Sequence, residues 1–118
     1  MGLEIGSIAI DCADPERMAE FWSAALGTSV QGAFDDYVFL KRPEQGGPFV
    51  ILQRVPEERT GKNRLHVDLT GEPRAEAVPR LTGLGATVMA EHEVPGLAWT
   101  VLADPEGNQF CVGEHPES

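Results

Sequence analysis

DPERMAEFWSAALG at residues 14–27 is answered 58 positions later by EPRAEAVPRLTGLG at residues 72–85 (Pro15 to Pro73, Gly27 to Gly85). In the first stretch Asp14-Pro15 reads as an N-cap followed by proline at the first helical position. Met18, Ala19, Phe21, Trp22, Ala25 and Leu26 then recur at helical spacing. Gly27 ends the helix as a left-handed glycine does. In the second stretch Glu72-Pro73 stands where Asp14-Pro15 stood, and Leu84-Gly85 where Leu26-Gly27 stood. Pro79 removes one helical hydrogen bond, so this second helix is expected to be kinked or to start late.

The flanks repeat as well. Ser7–Cys12 alternates like a half-buried strand ahead of the first helix, and Leu65–Leu69 does so ahead of the second. Three strand-like segments follow each helix: Thr28–Gln31, Tyr37–Lys41 and Phe49–Gln53, then Ala86–Ala90, Ala98–Ala103 and Gln109–Val112. Arg42–Pro48 and Asp104–Asn108 are corresponding turns, the latter made of residues that favour turns. The expectation is therefore an α+β chain of two tandem βαβββ repeats, residues about 3–55 and about 63–114, in a single domain. Pro56–Lys62 is polar and reads as the connecting loop. One helix covers only one face of a four-stranded sheet, so the other face must pack on something. Two such mixed sheets curled toward each other would enclose a central cleft lined by alternate residues of both.

Composition narrows the function classes. The chain has 118 residues, 42% of them apolar, which suits one domain with a real core. No run approaches the roughly 18 apolar residues of a membrane helix. MGLEIGSIAID at the start has no basic segment leading into an apolar stretch, and Gly6 stands where a myristoylation motif wants Ser or Thr, so a cytoplasmic location is expected. Nine basic residues face 19 acidic ones, for a formal net charge of −10. A nucleic-acid or anionic-membrane binder needs a basic stripe, and no basic cluster is present. Without a secretory signal, Cys12 and Cys111 read as small buried hydrophobes rather than as a disulfide.

Five segments together are more specific than the repeat alone: residues 14–22, 53–57, 62–69, 80–86 and 99–112. In them the chain resembles the vicinal oxygen chelate superfamily of glyoxalase I, bleomycin-resistance proteins and extradiol dioxygenases, and more narrowly its glyoxalase-like domain proteins. The resemblance implies metal-ligand positions on the first and last strands of each repeat. Here those positions hold Ser7, Val50, His66 and Cys111, with Val50 matched to Cys111 by aligning Phe49 to Phe110. Catalytic zinc takes three protein ligands, and non-haem iron takes two histidines and a carboxylate. Only His66 and Cys111 are capable ligands, so no metal and no other cofactor is expected. Glyoxalase and dioxygenase chemistry both need the ion. The expected function is accordingly that of a bleomycin-resistance-like protein binding an antibiotic or metabolite in the cleft. The alternatives are an isomerase or lyase using His66 for acid–base chemistry, or a divalent-metal enzyme of the glyoxalase or dioxygenase type. The resemblance also implies a homodimer.

Alternation sorts the candidate residues. Ser7, Ala9 and Asp11 share one face, with Ile8, Ile10 and Cys12 opposite, under the helix. His66, Asp68 and Thr70 share a face in the second repeat. The candidate ligand-binding set is Ser7, Asp11, Tyr37, Val50, His66, Asp68, Trp99 and Cys111. His66 is the candidate catalytic residue, as general base or ligand donor; the competing reading is a histidine held by a neighbouring strand. Asp68 can orient His66 or simply reach solvent. Cys111 can act as a nucleophile if His66 converges on it, or be an inert buried thiol. Tyr37 and Trp99, 62 positions apart, can stack on a ligand or pack in the core or a dimer. Phe21 and Trp22 are adjacent, so one of them is a candidate oligomer contact. Glu91-His92-Glu93 reads as a solvated strand end or loop, and Glu114–Ser118 as a flexible tail.

Overall fold

The computed structural model describes Gly2 and residues 5–44, 46–58, 60–61, 63 and 65–114. The chain divides into two compact units, residues 1–58 and 59–118. The first runs β1 (Ser7–Cys12), α1 (Pro15–Leu26), β2 (Val30–Phe34), β3 (Tyr37–Leu40) and β4 (Phe49–Arg54). The second runs β5 (Val67–Leu69), α2 (Arg74–Gly83), β6 (Thr87–Val94), β7 (Leu97–Ala103) and β8 (Gln109–Glu114). Both sheets have one connectivity: β1-β4-β3-β2 and β5-β8-β7-β6, with the first pair parallel and the other two antiparallel. The repeat read from the sequence is thus the architecture of the chain.

Local chemistry explains where the two helices differ. Asp14 Oδ1 accepts the Arg17 amide at 3.2 Å, and Gly27, at φ 69°, closes α1 in the left-handed conformation. Met18, Phe21 and Trp22 are buried along one side of α1, and full burial of each stabilises the fold by roughly 1.5–3 kcal/mol. In the second unit Glu72 is too long to fold back as a cap and forms a bidentate pair with Arg80 instead, at 2.7 and 3.3 Å. Pro73 therefore stands at the uncapped N-cap position, and α2 begins one residue later than α1 does relative to its proline. Pro79 lies inside α2, and the helix runs through it to Gly83.

Strand boundaries shift for identifiable reasons. The Thr28 amide and hydroxyl bond to Ser23 O and Lys41 O, which delays β2 to Val30. Asp35, at φ 51°, supplies the left-handed residue of the tight β2–β3 turn, a conformation aspartate tolerates. Pro95 and Gly96, the latter at φ 84°, turn β6 into β7. That hairpin carries β6 through Glu91, His92 and Glu93, which are exposed at the end of the strand, so of the two readings of this segment it is the solvated strand end rather than the loop. Asp104, 3% exposed, accepts the amides of Glu106 and Asn108 at 2.9 Å each and fixes the β7–β8 turn. Residues 115–118 of the expected tail, and Arg59 and Lys62 of the expected linker, lie outside the described residues.

In the first unit, α1 packs on β3 and β4. The buried side chains Cys12, Val38, Leu40 and Leu52 share the face it covers. In the second, α2 packs on β8, β6 and β7 above Phe110, Val112 and Leu102. Arg74, at the start of α2, donates to Thr100 Oγ1 at 3.0 Å and pairs with Glu91 at 3.3 Å, which satisfies the fully buried threonine hydroxyl. Phe21 and Trp22 are both buried, edge to face at 5.3 Å, so neither serves as an oligomer contact. Both cysteines are buried, and neither is in a disulfide. Among the described residues no helix is long and apolar enough to cross a membrane.

Candidate functional site

Helices occupy one face of each sheet, and the side chains able to meet a ligand are those that alternate onto the opposite face. In the first sheet the register assembles this face in rows. Asp11, Gln53, Tyr37 and Phe34 form one row across four strands. Ala9, Ile51, Phe39 and Gly32 form the next, and Ser7 with Phe49 a third. Tyr37 and Phe39 stack at 6.1 Å with an interplanar angle of 30°. Phe34 is 67% exposed. The Arg42 guanidinium lies 4.4 Å over the Phe49 ring. The face is aromatic and aliphatic through its middle, with polar groups at its two ends.

The second sheet has the same plan with different chemistry. Asp68, Cys111, Val101 and Ala90 form one row, and Gly113, Trp99 and His92 the next. His92 and Trp99 stack at 5.1 Å and 24°. The Cys111 thiol is pushed above its ordinary value first by burial, then by the Asp68 charge and by the hydrogen bond the thiol donates to the Asp68 carboxylate. Tyr37 pairs with Gln53, and Trp99 with Gly113, the corresponding residue of the second sheet, so the two aromatics occupy equivalent register positions.

Each sequence-derived candidate can now be located. Ser7, Asp11 and Tyr37 lie on the helix-free face of the first sheet. Asp68, Cys111 and Trp99 lie on that of the second. Val50 does not share this face, which corrects the expectation. The β1–β4 register pairs it with Ile8, and its strand neighbour Leu52, fully buried, points the same way toward α1. The residue equivalent to Cys111 is Ile51: Ala9 pairs with Ile51 as Asp68 pairs with Cys111. A one-residue error in alignment moves a strand position to the opposite face. His66 precedes β5, which begins at Val67, and its side chain is exposed. It therefore has no strand under it to fix it on the Asp68 face. The group that meets the Cys111 thiol is Asp68, not His66.

The four superfamily ligand positions thus hold Ser7, Ile51, His66 and Cys111. A neutral hydroxyl, an alkyl group, one exposed imidazole and one thiol do not make the three-ligand set of a catalytic zinc or the two-histidine, one-carboxylate set of a non-haem iron. Among the described residues no three His, Cys, Asp or Glu side chains gather as a metal centre requires. Phe34, Phe39, Phe49, Arg42 and the His92 stack were not singled out from the sequence. The alternation of Tyr37-Val-Phe-Leu40 carried the signal for Phe39, and the Pro95-Gly96 turn carried it for β6.

The profile of the glyoxalase-like domain matches residues 7–113. Among solved structures, a glyoxalase/bleomycin resistance protein/dioxygenase family enzyme from Burkholderia phytofirmans superposes with a TM-score of 0.79 at 17% identity, covering 94% of this chain and 98% of that one. A glyoxalase/bleomycin resistance protein/dioxygenase superfamily member from Sphaerobacter thermophilus gives 0.72 at 24% identity, covering 96% and 98%. The oxidase ChaP-H2 gives 0.67 at 14% identity, covering 98% and 96%. At these identities the likeness concerns the fold. A comparison with curated proteins found no match.

Proposed function

Because the chain belongs to the glyoxalase-like domain family over residues 7–113, we propose that it binds a small molecule, an antibiotic or a metabolite, without a metal ion. The observation that carries this reading is the helix-free face of the first sheet. There the ligand positions of metal-using relatives hold Ser7 and Ile51, and Phe34, Tyr37, Phe39 and Phe49 supply flat apolar area. Stacking on such rings gives affinity for planar ligands without any covalent or Lewis-acid chemistry. The titratable groups of the second sheet do not favour catalysis. A nucleophilic cysteine needs a lowered pKa, and Cys111 is shifted the other way. His66 is exposed and outside the strand.

Elemental analysis of the purified protein, before and after incubation with zinc, nickel, manganese and iron(II), tests the metal-free reading. The expected result is substoichiometric metal. A stoichiometric ion lost in His66→Ala would overturn it. A thermal-shift screen over antibiotics, thiols and aromatic metabolites is expected to raise the melting temperature with aromatic compounds, since a ligand bound to the native state alone stabilises it by mass action. We further propose a homodimer in solution. Val88, Met89 and Val94, all exposed on the edge strand β6, support it. Sedimentation should give twice the 12.8 kDa of one chain.

A further inference from the structure

Building on the small-molecule reading above, we propose that the ligand of the first sheet is an arene bearing a carboxylate, with Arg42 as the residue that takes the anion. The helix-free face is chemically polarised along its strands. At one end Phe49 opens β4 beside its register partner Ser7, and the Arg42 guanidinium covers the Phe49 ring at 4.4 Å. Lys41 extends the β3 ladder by one residue, its amide donating to Ser29 O at 2.8 Å, and strand alternation gives residue 41 the parity of Tyr37 and Phe39. Lys41 and Arg42, two of the nine basic residues in a chain with 19 acidic ones, thus follow one another at this end of the sheet. Ala9, Ile51 and Phe39 make the uncharged middle. Asp11, Gln53 and Tyr37 close the far end, four residues along each strand, or about 13 Å away at the usual rise.

Arg42 differs by its partner from the three arginines held in ion pairs on the sheets and helices. Arg54, Arg74 and Arg80 are each committed to a carboxylate, at 3.2, 3.3 and 2.7 Å. Arg42 stacks on a ring and makes no ion pair among the described residues. A guanidinium stacked on an arene keeps its N–H edge directed sideways, in the plane where a carboxylate is received through two parallel hydrogen bonds. The arene of the ligand would lie along Phe49, Ile51 and Phe39, and its carboxylate would reach the Arg42 edge, with the Ser7 hydroxyl as a neighbouring donor. The net charge of −10 makes the assignment discriminating, because an apolar face without a local cation would disfavour an anion in that field.

The test is calorimetric titration of the intact protein with three probes that share one ring: 2-naphthoate, 2-naphthamide and 2-naphthylmethylamine. The expected result is that 2-naphthoate binds about tenfold or more tighter than the amide, the scale of a charge-assisted bond. Arg42→Met should bring 2-naphthoate down to the amide's affinity, and Arg42→Lys should retain part of the preference. The melting temperatures of both variants verify folding. Equal binding of acid and amide, tighter binding of the amine, or full 2-naphthoate affinity in Arg42→Met would overturn the assignment, leaving Arg42 as a cover for Phe49. Charge-blind binding of all three arenes would overturn the anion assignment while sparing the small-molecule reading. Binding of none would sink both.

Discussion

The Cys111 thiol keeps its proton because burial and the Asp68 carboxylate both oppose a thiolate. The sign of the linkage follows. Its pKa is raised in the folded chain, so the folded state holds the proton longer than the unfolded one. The contribution to stability is complete below the ordinary value of 9.0 and is lost as pH rises from there through the folded value. Native Cys111 is expected to react slowly with a disulfide reagent at pH 8 and rapidly after unfolding. Asp68→Asn should speed the native reaction by removing the charge next to the sulfur; an unaltered rate would show that burial alone protects it. Asp104 gives a second residue-scale test. Its carboxylate receives two amides in the β7–β8 turn, so Asp104→Ala should cost about 2 kcal/mol in urea unfolding, the scale of leaving buried donors unsatisfied.

At the scale of elements, the two helices are a controlled comparison within one chain. Helix α1 has a side-chain cap, a proline at its first position and a left-handed glycine stop. Helix α2 has no side-chain cap, begins late, and carries Pro79 where the amide should donate to the carbonyl of Ala75. Pro79→Ala is expected to stabilise the protein by roughly 1–3 kcal/mol, since an interior helical proline costs about that much relative to alanine. Asp14→Ala should destabilise by about 1 kcal/mol through loss of the cap. Thermal and chemical denaturation of the two variants would check both signs. The edge strands carry the other element-scale feature. Val30 and Phe34 on β2, and Val88, Met89 and Val94 on β6, leave apolar side chains exposed beside unpaired strand edges.

At the scale of the whole molecule, composition governs what the chain avoids and the sheet faces govern what it can hold. A net charge of −10 without a basic cluster opposes binding to nucleic acid, and a mobility-shift assay with duplex DNA at physiological salt should show none. The two helix-free faces differ although their registers correspond. The first presents phenylalanines and a stacked tyrosine, the second a protonated thiol beside Asp68 and a tryptophan under His92. Repeat symmetry therefore sets the positions, and substitution at those positions sets the chemistry.

The order of elements, the repeat and the connection of each helix to three strands were determined by the sequence alone. Caps, helical spacing, alternation and turn residues are local signals, and Asp14, Gly27 and the Asp104–Asn108 turn act through neighbours a few residues away. The tertiary structure alone decided which strand residues face the ligand side. Val50 and Ile51 are equally apolar, and only the hydrogen-bonded pairing of β1 with β4 assigns one to the helix and the other to the open face. The same holds for His92, which meets Trp99 through the β6–β7 pairing, and for Arg42, which reaches Phe49 across a loop. Contacts between residues distant in sequence depend on register, and register is a property of two strands together that neither strand encodes by itself.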